Sequence, residues 1–192
     1  MARKGFFFNQ AKCIGCRTCQ VACKDKTDLE IGVVYRRFDL FEVGEFPVAA
    51  AYGLSRTCNH CENPACVAKC PVGAMRIDEE DGTVQHDDGT CIGCQSCVKA
   101  CPYGVPQYRA ELKITGKCDG CIGLRSSGEP NACVASCPMR ALEFGDIDEL
   151  RAKHPDAVDV VAALPDPSQT TPSVAIDAKP SALEAGFVQV LV

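Results

Sequence analysis

Short apolar runs separated by polar loops predict a chain of small strands and helices. The stretch KGFFFNQ at residues 4–10 has three consecutive aromatic residues and predicts a first strand, and YRRFDLFEV at residues 35–43 predicts a second. The stretch at residues 74–87 predicts a hairpin, because an Asp-Gly pair interrupts two apolar segments and is a strong turn signal.

Helical signals are brief and lie next to cysteines. A turn or two of helix is predicted just before each of Cys23, Cys70, Cys101 and Cys137. A longer helix is predicted within residues 145–154, where Asp146 is followed three residues later by Glu149. That spacing is typical of a capping box at a helix N-terminus.

The composition changes after Pro155 and becomes rich in Pro, Ser, Ala and Thr, without a clear hydrophobic period. Such a segment cannot bury much apolar surface by itself. We therefore predict an extended tail over residues 155–192 that becomes ordered on a partner surface. The apolar side chains expected to be buried there are Val174, Ile176, Leu183, Phe187, Val190 and Leu191.

Composition adds an unusual cysteine content: sixteen of 192 residues. The cysteines fall into four groups of four, with none left over. Group one is Cys13, Cys16, Cys19 and Cys23; group two is Cys58, Cys61, Cys66 and Cys70; group three is Cys91, Cys94, Cys97 and Cys101; group four is Cys118, Cys121, Cys133 and Cys137.

The groups are also related in alternating pairs, which indicates an internal duplication. Groups one and three share C-I-G-C-x-[ST]-C-x-x-A-C, and groups two and four share similar endings, NPACVAKCP and PNACVASCP. The aromatic content is low, with eight Phe, four Tyr and no Trp. We expect that whatever the cysteines bind replaces part of the core.

Three kinds of sulfur chemistry compete for these groups. Disulfides need an export context and would close small strained loops between cysteines three residues apart. Structural zinc could use four thiolates at each of four sites, but its two C-x2-C pairs are usually separated by a dozen residues or more. The run C-x2-C-x2-C-x3-C-P at residues 91–102 is instead the bacterial ferredoxin spacing for [4Fe–4S] clusters.

This spacing predicts that clusters are shared between groups. The first three cysteines of a run wrap one cluster, and the fourth lies beyond a helical turn and serves a second cluster. Two runs must then exchange their last cysteines, which explains why the groups occur in pairs. Group one departs from the pattern because Lys24 replaces the proline after Cys23.

Histidines and cations near the cysteines are not predicted to bind iron. His60 lies between two cysteines of a group that already has four sulfurs, so we expect it to support the site or to face solvent. His86 and His154 are expected to be solvated. Four cations that flank cysteines could raise cluster potentials through their charge, and an ordinary exposed role is the alternative for each: Lys12, Lys99, Lys117 and Arg140.

Charge and targeting signals exclude several classes of function. A net charge of −5 argues against nucleic acid as the main partner. We find no signal peptide, no twin-arginine pair near the N-terminus and no apolar stretch long enough to span a bilayer. No catalytic motif is present, so we expect no active site in this chain. Membrane association or export would depend on a partner's twin-arginine signal, and the alternative is a cytoplasmic location.

The chain resembles the four-cluster iron–sulfur subunit of dimethyl sulfoxide reductase and its relatives among the molybdopterin oxidoreductases. The resemblance extends from residue 5 to residue 151 and includes GFFFNQAKCIGCRTCQVACKDKTDL, CNHCENPACVAKCPVGAM, CIGCQSCVKACPYGVPQY, KCDGC and SCPMRALEFGDIDELR. The order and spacing of all four cysteine groups agree with that family. The resemblance fades between Cys23 and Cys58 and again in the tail.

The resemblance implies four ligand sets, which we name clusters A to D. Cluster A is held by Cys13, Cys16, Cys19 and Cys137; cluster B by Cys118, Cys121, Cys133 and Cys23; cluster C by Cys58, Cys61, Cys66 and Cys101; cluster D by Cys91, Cys94, Cys97 and Cys70. Some relatives replace the second cysteine of group three and lose one iron there. Because Cys94 is present, we expect four complete cubanes.

The resemblance also implies a fold of class α+β, with two pseudo-symmetric bacterial-ferredoxin-like modules that each bind two [4Fe–4S] clusters, plus the extended C-terminal tail. The cluster region is 1–154. Its half with groups one and four covers about 1–57 and 104–154, and its half with groups two and three covers about 58–103.

The implied partners are a large molybdopterin (molybdenum or tungsten) catalytic subunit and a donor, either a quinol-oxidising membrane anchor or a soluble protein. An electron-transfer subunit in anaerobic respiration is the leading hypothesis. A free soluble polyferredoxin and a structural or regulatory zinc protein are the alternatives. A tail that binds the catalytic subunit would place the half with groups one and four beside it, with the other half toward the donor.

Overall fold

Two three-stranded sheets and two hairpins contain the strands of the computed structural model, which describes residues 3–190. The strands in this range are β1 (Lys4–Asn9), β2 (Arg37–Val43), β3 (Ala50–Arg56), β4 (Met75–Ile77), β5 (Val84–His86), β6 (Gln107–Arg109), β7 (Ile114–Gly116), β8 (Leu142–Asp146), β9 (Val174–Asp177) and β10 (Val188–Val190).

The helices are short, and most of them lie beside cysteines. They are α1 (Thr18–Lys26), α2 (Ala65–Ala68), α3 (Ser96–Ala100), α4 (Ile122–Ser126), α5 (Ala132–Ala135) and α6 (Ile147–Lys153), with 3₁₀ turns at Pro167–Gln169 and Pro180–Leu183. The predicted α+β class, the first two predicted strands, the 74–87 hairpin and the helices beside the cysteines are therefore confirmed. The Asp146 side chain accepts from the backbone N–H groups of Asp148 and Glu149, so it caps α6 as predicted.

The aromatic strand β1 is the centre of the first sheet. It pairs with β8 in antiparallel orientation, Phe6 opposite Phe144, and with β9 in parallel orientation, Phe6 opposite Val174. Phe6 and Phe8 face the main core, and Phe7 packs on the other side against α6. Because β1 leads into cysteine group one and β8 follows group four, this sheet holds the two ends of the cluster region together.

The segment after residue 154 is not an extended tail, so that prediction is wrong. Ile176 is only 1% exposed, and Val174 is also buried. β9 lies between β1 on one side and Val158 on the other, and Val158 and Ile176 exchange two backbone hydrogen bonds of 2.8 Å. The physical reason is that a short continuous apolar run can form a strand buried on both faces, although it lacks the alternation of a half-buried strand.

The rest of this segment also folds back onto the protein. Phe187 packs against the main core and makes an edge-on contact with Phe41, 5.6 Å between ring centroids. Val190 pairs with Leu40 in the second sheet, and Leu183 remains exposed. Leu191 lies outside the described residues.

Contacts of the segment reach both halves of the cluster region. The carbonyl oxygens of Thr171 and Thr170 accept from the backbone N–H groups of Glu62 and Asn63 in the group-two loop, at 2.8 and 3.0 Å. Since residues 155–190 are bound within this protein, their position does not indicate which half faces a catalytic partner. Within residues 3–190, no helix combines the length and the apolar composition that a membrane span requires.

Shortening Ile176 tests the internal role of this segment. Ile176→Ala should lower the free energy of unfolding by about 2–5 kcal/mol, because it opens a cavity beside β1. The matched control is Leu183→Ala in the same segment, where the side chain is 55% exposed, and its effect should stay within about 0.5 kcal/mol. Thermal unfolding followed by circular dichroism, with limited proteolysis in parallel, measures both. Equal stability of the two variants would contradict the buried position of β9.

Candidate metal centres

The two C-I-G-C loops have the same backbone conformation, as their shared sequence suggests. Gly15 and Gly93 have positive φ angles of 71° and 67°, and the residues after each second cysteine, Arg17 and Gln95, have φ of 60° and 59°. Glycine tolerates this left-handed region at little cost. A Cβ on Gly93 would also lie 2.2 Å from the Lys113 carbonyl oxygen. Each loop therefore reverses direction tightly between its cysteines.

His60 occupies the position that is glycine in the other three C-x2-C loops. Its φ is 44°, compared with 66° for Gly120 in group four, and its side chain is fully buried. Nδ1 accepts from the Val84 backbone N–H at 3.0 Å, so the ring proton is on Nε2, which lies 4.0 Å from the Cys118 sulfur. A non-glycine residue in this region is uncommon, and the contacts of the side chain hold His60 there. His60 thus connects the group-two loop to a group-four cysteine. The prediction left open whether His60 supports the site or faces solvent, and the solvent-facing alternative is wrong.

The prediction that His86 and His154 are solvated is also wrong. The His86 side chain is 6% exposed, and its Nδ1 lies 2.8 Å from a carboxylate oxygen of Asp88. The His154 side chain is 23% exposed and stacks on the ring of Phe7. Polar neighbours in the sequence indicated solvent for both residues, whereas the packing partners of His154 come from a distant strand.

Short helices bring the groups together in two pairs. α1, which carries Cys19 and Cys23, packs against α5 of group four. α2 of group two packs against α3 of group three. This is the pairing that an exchange of fourth cysteines requires.

Three cavities are each lined by four cysteines from two paired groups. The first contains Cys13, Cys16, Cys19 and Cys137; the second contains Cys58, Cys61, Cys66 and Cys101; the third contains Cys70, Cys91, Cys94 and Cys97. These are the ligand sets predicted for clusters A, C and D.

The remaining four cysteines lie together in the core. Burial, together with the neighbouring thiols of Cys118, Cys133 and Cys121, raises the pKa of the Cys23 thiol to about 12. This is the set predicted for cluster B. The structure thus brings together all sixteen predicted cysteines in the four expected sets, and their ligation of iron remains a prediction.

Exposure divides the four sets into outer and inner ones. Cys16 and Cys94 are exposed, and hydrogen bonds with Thr18 and Ser96 lower the pKa of each thiol. In the other two sets every cysteine except the half-buried Cys101 is buried. Burial raises the pKa of Cys66 to about 12 and that of Cys61 to about 11. Sets A and D therefore reach the surface, and sets B and C lie inside.

The donor chemistry fits a cubane better than a single ion. Among residues 3–190, no three His, Cys, Asp or Glu side chains come close enough together to hold one metal ion. A [4Fe–4S] cluster instead binds four thiolates on four separate iron atoms, so its sulfur ligands surround a volume. Four thiols around a cavity, repeated in sets A, C and D, match that requirement.

Two buried cations lie among the sets. Lys117, one of the four predicted cations, is buried and its Nζ donates to the carbonyl oxygens of Val84 and Cys118, the latter at 2.8 Å. Arg36 is also buried, and sequence reasoning missed it. The only signal was the Arg36-Arg37 pair at the start of the second predicted strand, and the alternation of that strand points to Arg37 as the inward residue.

Lys24 has a structural role that explains the missing proline of group one. α1 continues through Lys26, so Lys24 lies inside a helix, where proline would remove a hydrogen bond and clash with the preceding turn. Its Nζ donates to three carbonyl oxygens, those of Leu29, Glu30 and Val33, at 2.9, 2.6 and 3.1 Å. Lys24 therefore fastens the loop that follows α1.

The other three predicted cations, Lys12, Lys99 and Arg140, have exposed side chains. Arg140 donates to the Cys137 carbonyl oxygen at 3.1 Å, which holds the turn after group four. An effect of these surface charges on cluster potentials stays a prediction.

Comparison with known proteins agrees with this geometry. A family model described as a 4Fe-4S dicluster domain matches residues 49–147, and one described as a 4Fe-4S binding domain matches residues 4–25. The protein is 47% identical over 186 residues to the B subunit of anaerobic dimethyl sulfoxide reductase of Escherichia coli (strain K12), a match that covers 93% of this sequence and 89% of the relative. The probable anaerobic dimethyl sulfoxide reductase subunit YnfG of the same organism matches with the same identity and coverage.

A more distant relative carries an explicit functional description. The thiosulfate reductase electron transfer subunit PhsB of Salmonella typhi is 38% identical over 148 residues, covering 73% of this sequence and 74% of the relative. Identity this high over most of both lengths, together with the paired cysteine sets, indicates common descent as well as common chemistry. The chain belongs to the family of 4Fe-4S electron-transfer subunits that includes the B subunit of anaerobic dimethyl sulfoxide reductase.

Proposed function

We propose that the protein binds four [4Fe–4S] clusters in the sets A to D defined above. The support is the grouping of all sixteen cysteines, three sets around cavities and one in the core. Each set takes three cysteines from one group and the fourth from its paired group, as the ferredoxin spacing requires. When bound, each cluster accepts and passes on one electron.

The four sets form two modules in this proposal. The module with clusters A and B covers about 1–57 and 104–154, and the module with clusters C and D covers about 58–103. The packing of α1 on α5 and of α2 on α3 supports this division, as does a separate small apolar cluster around Cys66, Met75, Val84 and Cys97.

The clusters follow one another in the order A, B, C, D. Within each module, neighbouring sets are joined by one short segment: Cys19 and Cys23 lie in α1, and Cys97 and Cys101 lie in and just after α3. Between modules, Nε2 of His60 in the group-two loop of set C lies 4.0 Å from the sulfur of Cys118 in set B, so sets B and C are neighbours. The protein thus offers a path from one exposed end to another through a buried middle.

We infer that this path relays electrons between a donor and a molybdopterin-containing catalytic subunit of an anaerobic oxidoreductase. The observation that carries this inference is the pairing of two surface sets with two buried sets. Ile14 beside set A and Ile92 beside set D are 64% and 63% exposed, which suits contact with a partner protein at each end. The relatives are named as subunits of dimethyl sulfoxide reductase and thiosulfate reductase, in agreement with a subunit role.

The donor in this proposal is a quinol-oxidising membrane anchor or a soluble protein, and the protein is membrane-associated through its partners. A free polyferredoxin remains the alternative. The segment 155–190 does not separate the two possibilities, because it is bound within the protein. The relatives favour the subunit, and co-purification with a large molybdenum or tungsten protein tests it.

Metal analysis of the purified protein is the first test. Four cubanes predict about sixteen iron atoms and about sixteen acid-labile sulfides per molecule. About twelve iron atoms would mean that one set is incomplete, and about four zinc ions in a colourless protein would overturn the proposal.

The exchange of fourth cysteines has a distinct signature in single variants. Cys13→Ala and Cys137→Ala should lose the same EPR signal, that of cluster A, although the two residues are distant in sequence. Cys23→Ala and Cys118→Ala should lose a different signal, that of cluster B. Loss of one common signal in Cys133→Ala and Cys137→Ala would show instead that group four binds its own cluster.

The orientation of the path is tested at its two exposed ends. The family resemblance implies that cluster A faces the catalytic subunit. In the assembled complex, Cys16→Ser should then isolate the catalytic subunit from every electron source that enters through this protein. Cys94→Ser should block the physiological donor and leave reduction by a small dye largely intact, with the other clusters checked by EPR. The opposite pattern would reverse the orientation.

A further inference from the structure

Arg36 is a buried cation that has no carboxylate partner among the described residues. Its side chain is 2% exposed, and its guanidinium carbon lies 4.5 Å from the centre of the Phe6 ring. Nη1 donates to the Ser55 hydroxyl at 3.1 Å, while Nε and Nη2 are buried and form no hydrogen bond to a nitrogen or oxygen atom among residues 3–190. Within that range its oxygen acceptors are the hydroxyl and the carbonyl oxygen of Ser55.

The neighbouring arginines are arranged differently. Arg37 and Arg56 both form ion pairs with Asp39, and neither is fully buried. A charge buried without a counter-charge is strongly destabilising. Arg36 therefore needs a negative group that is present in the folded, functional protein.

Cysteines of two predicted clusters surround Arg36. On one side, the Ser55 hydroxyl that accepts from Arg36 lies 3.5 Å from the sulfur of Cys19, a ligand of cluster A. On the other side is set B: the thiol of Cys133, a cysteine of that set, lies within side-chain hydrogen-bonding reach of Arg36. Arg36 is thus placed between set A and set B.

We infer that Arg36 is a fixed positive charge shared by clusters A and B. It raises the midpoint potentials of both, and the negative clusters supply the counter-charge that its burial requires. This inference rests on the proposed ligand sets. A cubane with four thiolates carries a net charge of about 2−, and one electron taken from a reductant makes it about 3− without forming or breaking a bond. A cation nearby stabilises the more negative state, so Arg36 favours reduction.

Sharing the charge has a consequence for transfer between the two clusters. When an electron leaves B and enters A, the iron–sulfur core of B is oxidised by one electron and that of A is reduced by one. A cation beside both shifts both potentials in the same direction. Arg36 therefore raises the midpoint potentials of both clusters without creating a large difference between them.

Lys117 does not duplicate this role. Its Nζ already donates to two carbonyl oxygens, and its side chain lines the cavity of set C beside Cys66. Arg36 is connected by a hydroxyl to set A while it also faces set B.

The test is a potentiometric titration with dithionite, followed by EPR, on the full-length protein with its clusters. Arg36→Met should lower the equilibrium constant for reduction of clusters A and B by about tenfold each. That change corresponds to a midpoint potential lower by about 59 mV for one electron. Clusters C and D should not shift. The matched control is Arg37→Met, the adjacent and more exposed arginine, which should leave all four potentials unchanged.

Two further variants keep the test decisive if Arg36→Met fails to assemble. Arg36→Lys retains the positive charge on a shorter side chain. It should lower the potentials of clusters A and B by less than Arg36→Met does. Ser55→Ala removes the hydroxyl beside Cys19 and should lower the potential of cluster A alone. Unchanged potentials in Arg36→Met, or in these two variants if Arg36→Met does not assemble, would overturn the role of Arg36, whereas a wild-type protein that lacks clusters A and B would overturn the proposed function.

Discussion

Burial of thiols that must become thiolates is the constraint on which the rest of the structure depends. Iron binds the deprotonated sulfur, yet burial raises the pKa of Cys23 and Cys66 to about 12. Several cysteines are members of the main apolar core, alongside Phe6 and Leu54. The clusters proposed here resolve that conflict, because iron supplies the positive charge that holds thiolates in an apolar interior. Cluster binding and core packing are then one process.

The sheet around β1 makes this core possible in a protein with few large aromatic side chains. β1 presents Phe6 and Phe8 to the cysteines and Phe7 to α6, where it stacks on His154 at 3.6 Å between ring centroids. β8 and β9 cover both edges of the strand. A strand from the beginning of the sequence thus meets two strands from its last third at the pair formed by groups one and four. Groups two and three are consecutive in sequence and need no such closure.

The parts predicted correctly from sequence are those fixed by local spacing. A cysteine run with intervals of three residues dictates which sulfurs lie on one loop, and an Asp-Gly pair dictates a turn. The position of β9 depends instead on an open edge of β1, more than 160 residues earlier in the sequence, and no local signal reveals it. The burial of His154 escaped prediction for a similar reason: its partner Phe7 is remote in sequence.

Arg36 shows that local sequence patterns also fail to predict one residue within the site. The buried residues Asp39, Phe41 and Val43 alternate along β2, and that period would place Arg37 inside and Arg36 outside. Arg36 lies just before the strand begins, so the alternation does not govern it, and its side chain turns inward toward sets A and B. A buried cation at that position would be balanced by the negative charge of the proposed clusters A and B. An electron added to either cluster would increase that negative charge, and the low dielectric of a buried site would strengthen its attraction to Arg36.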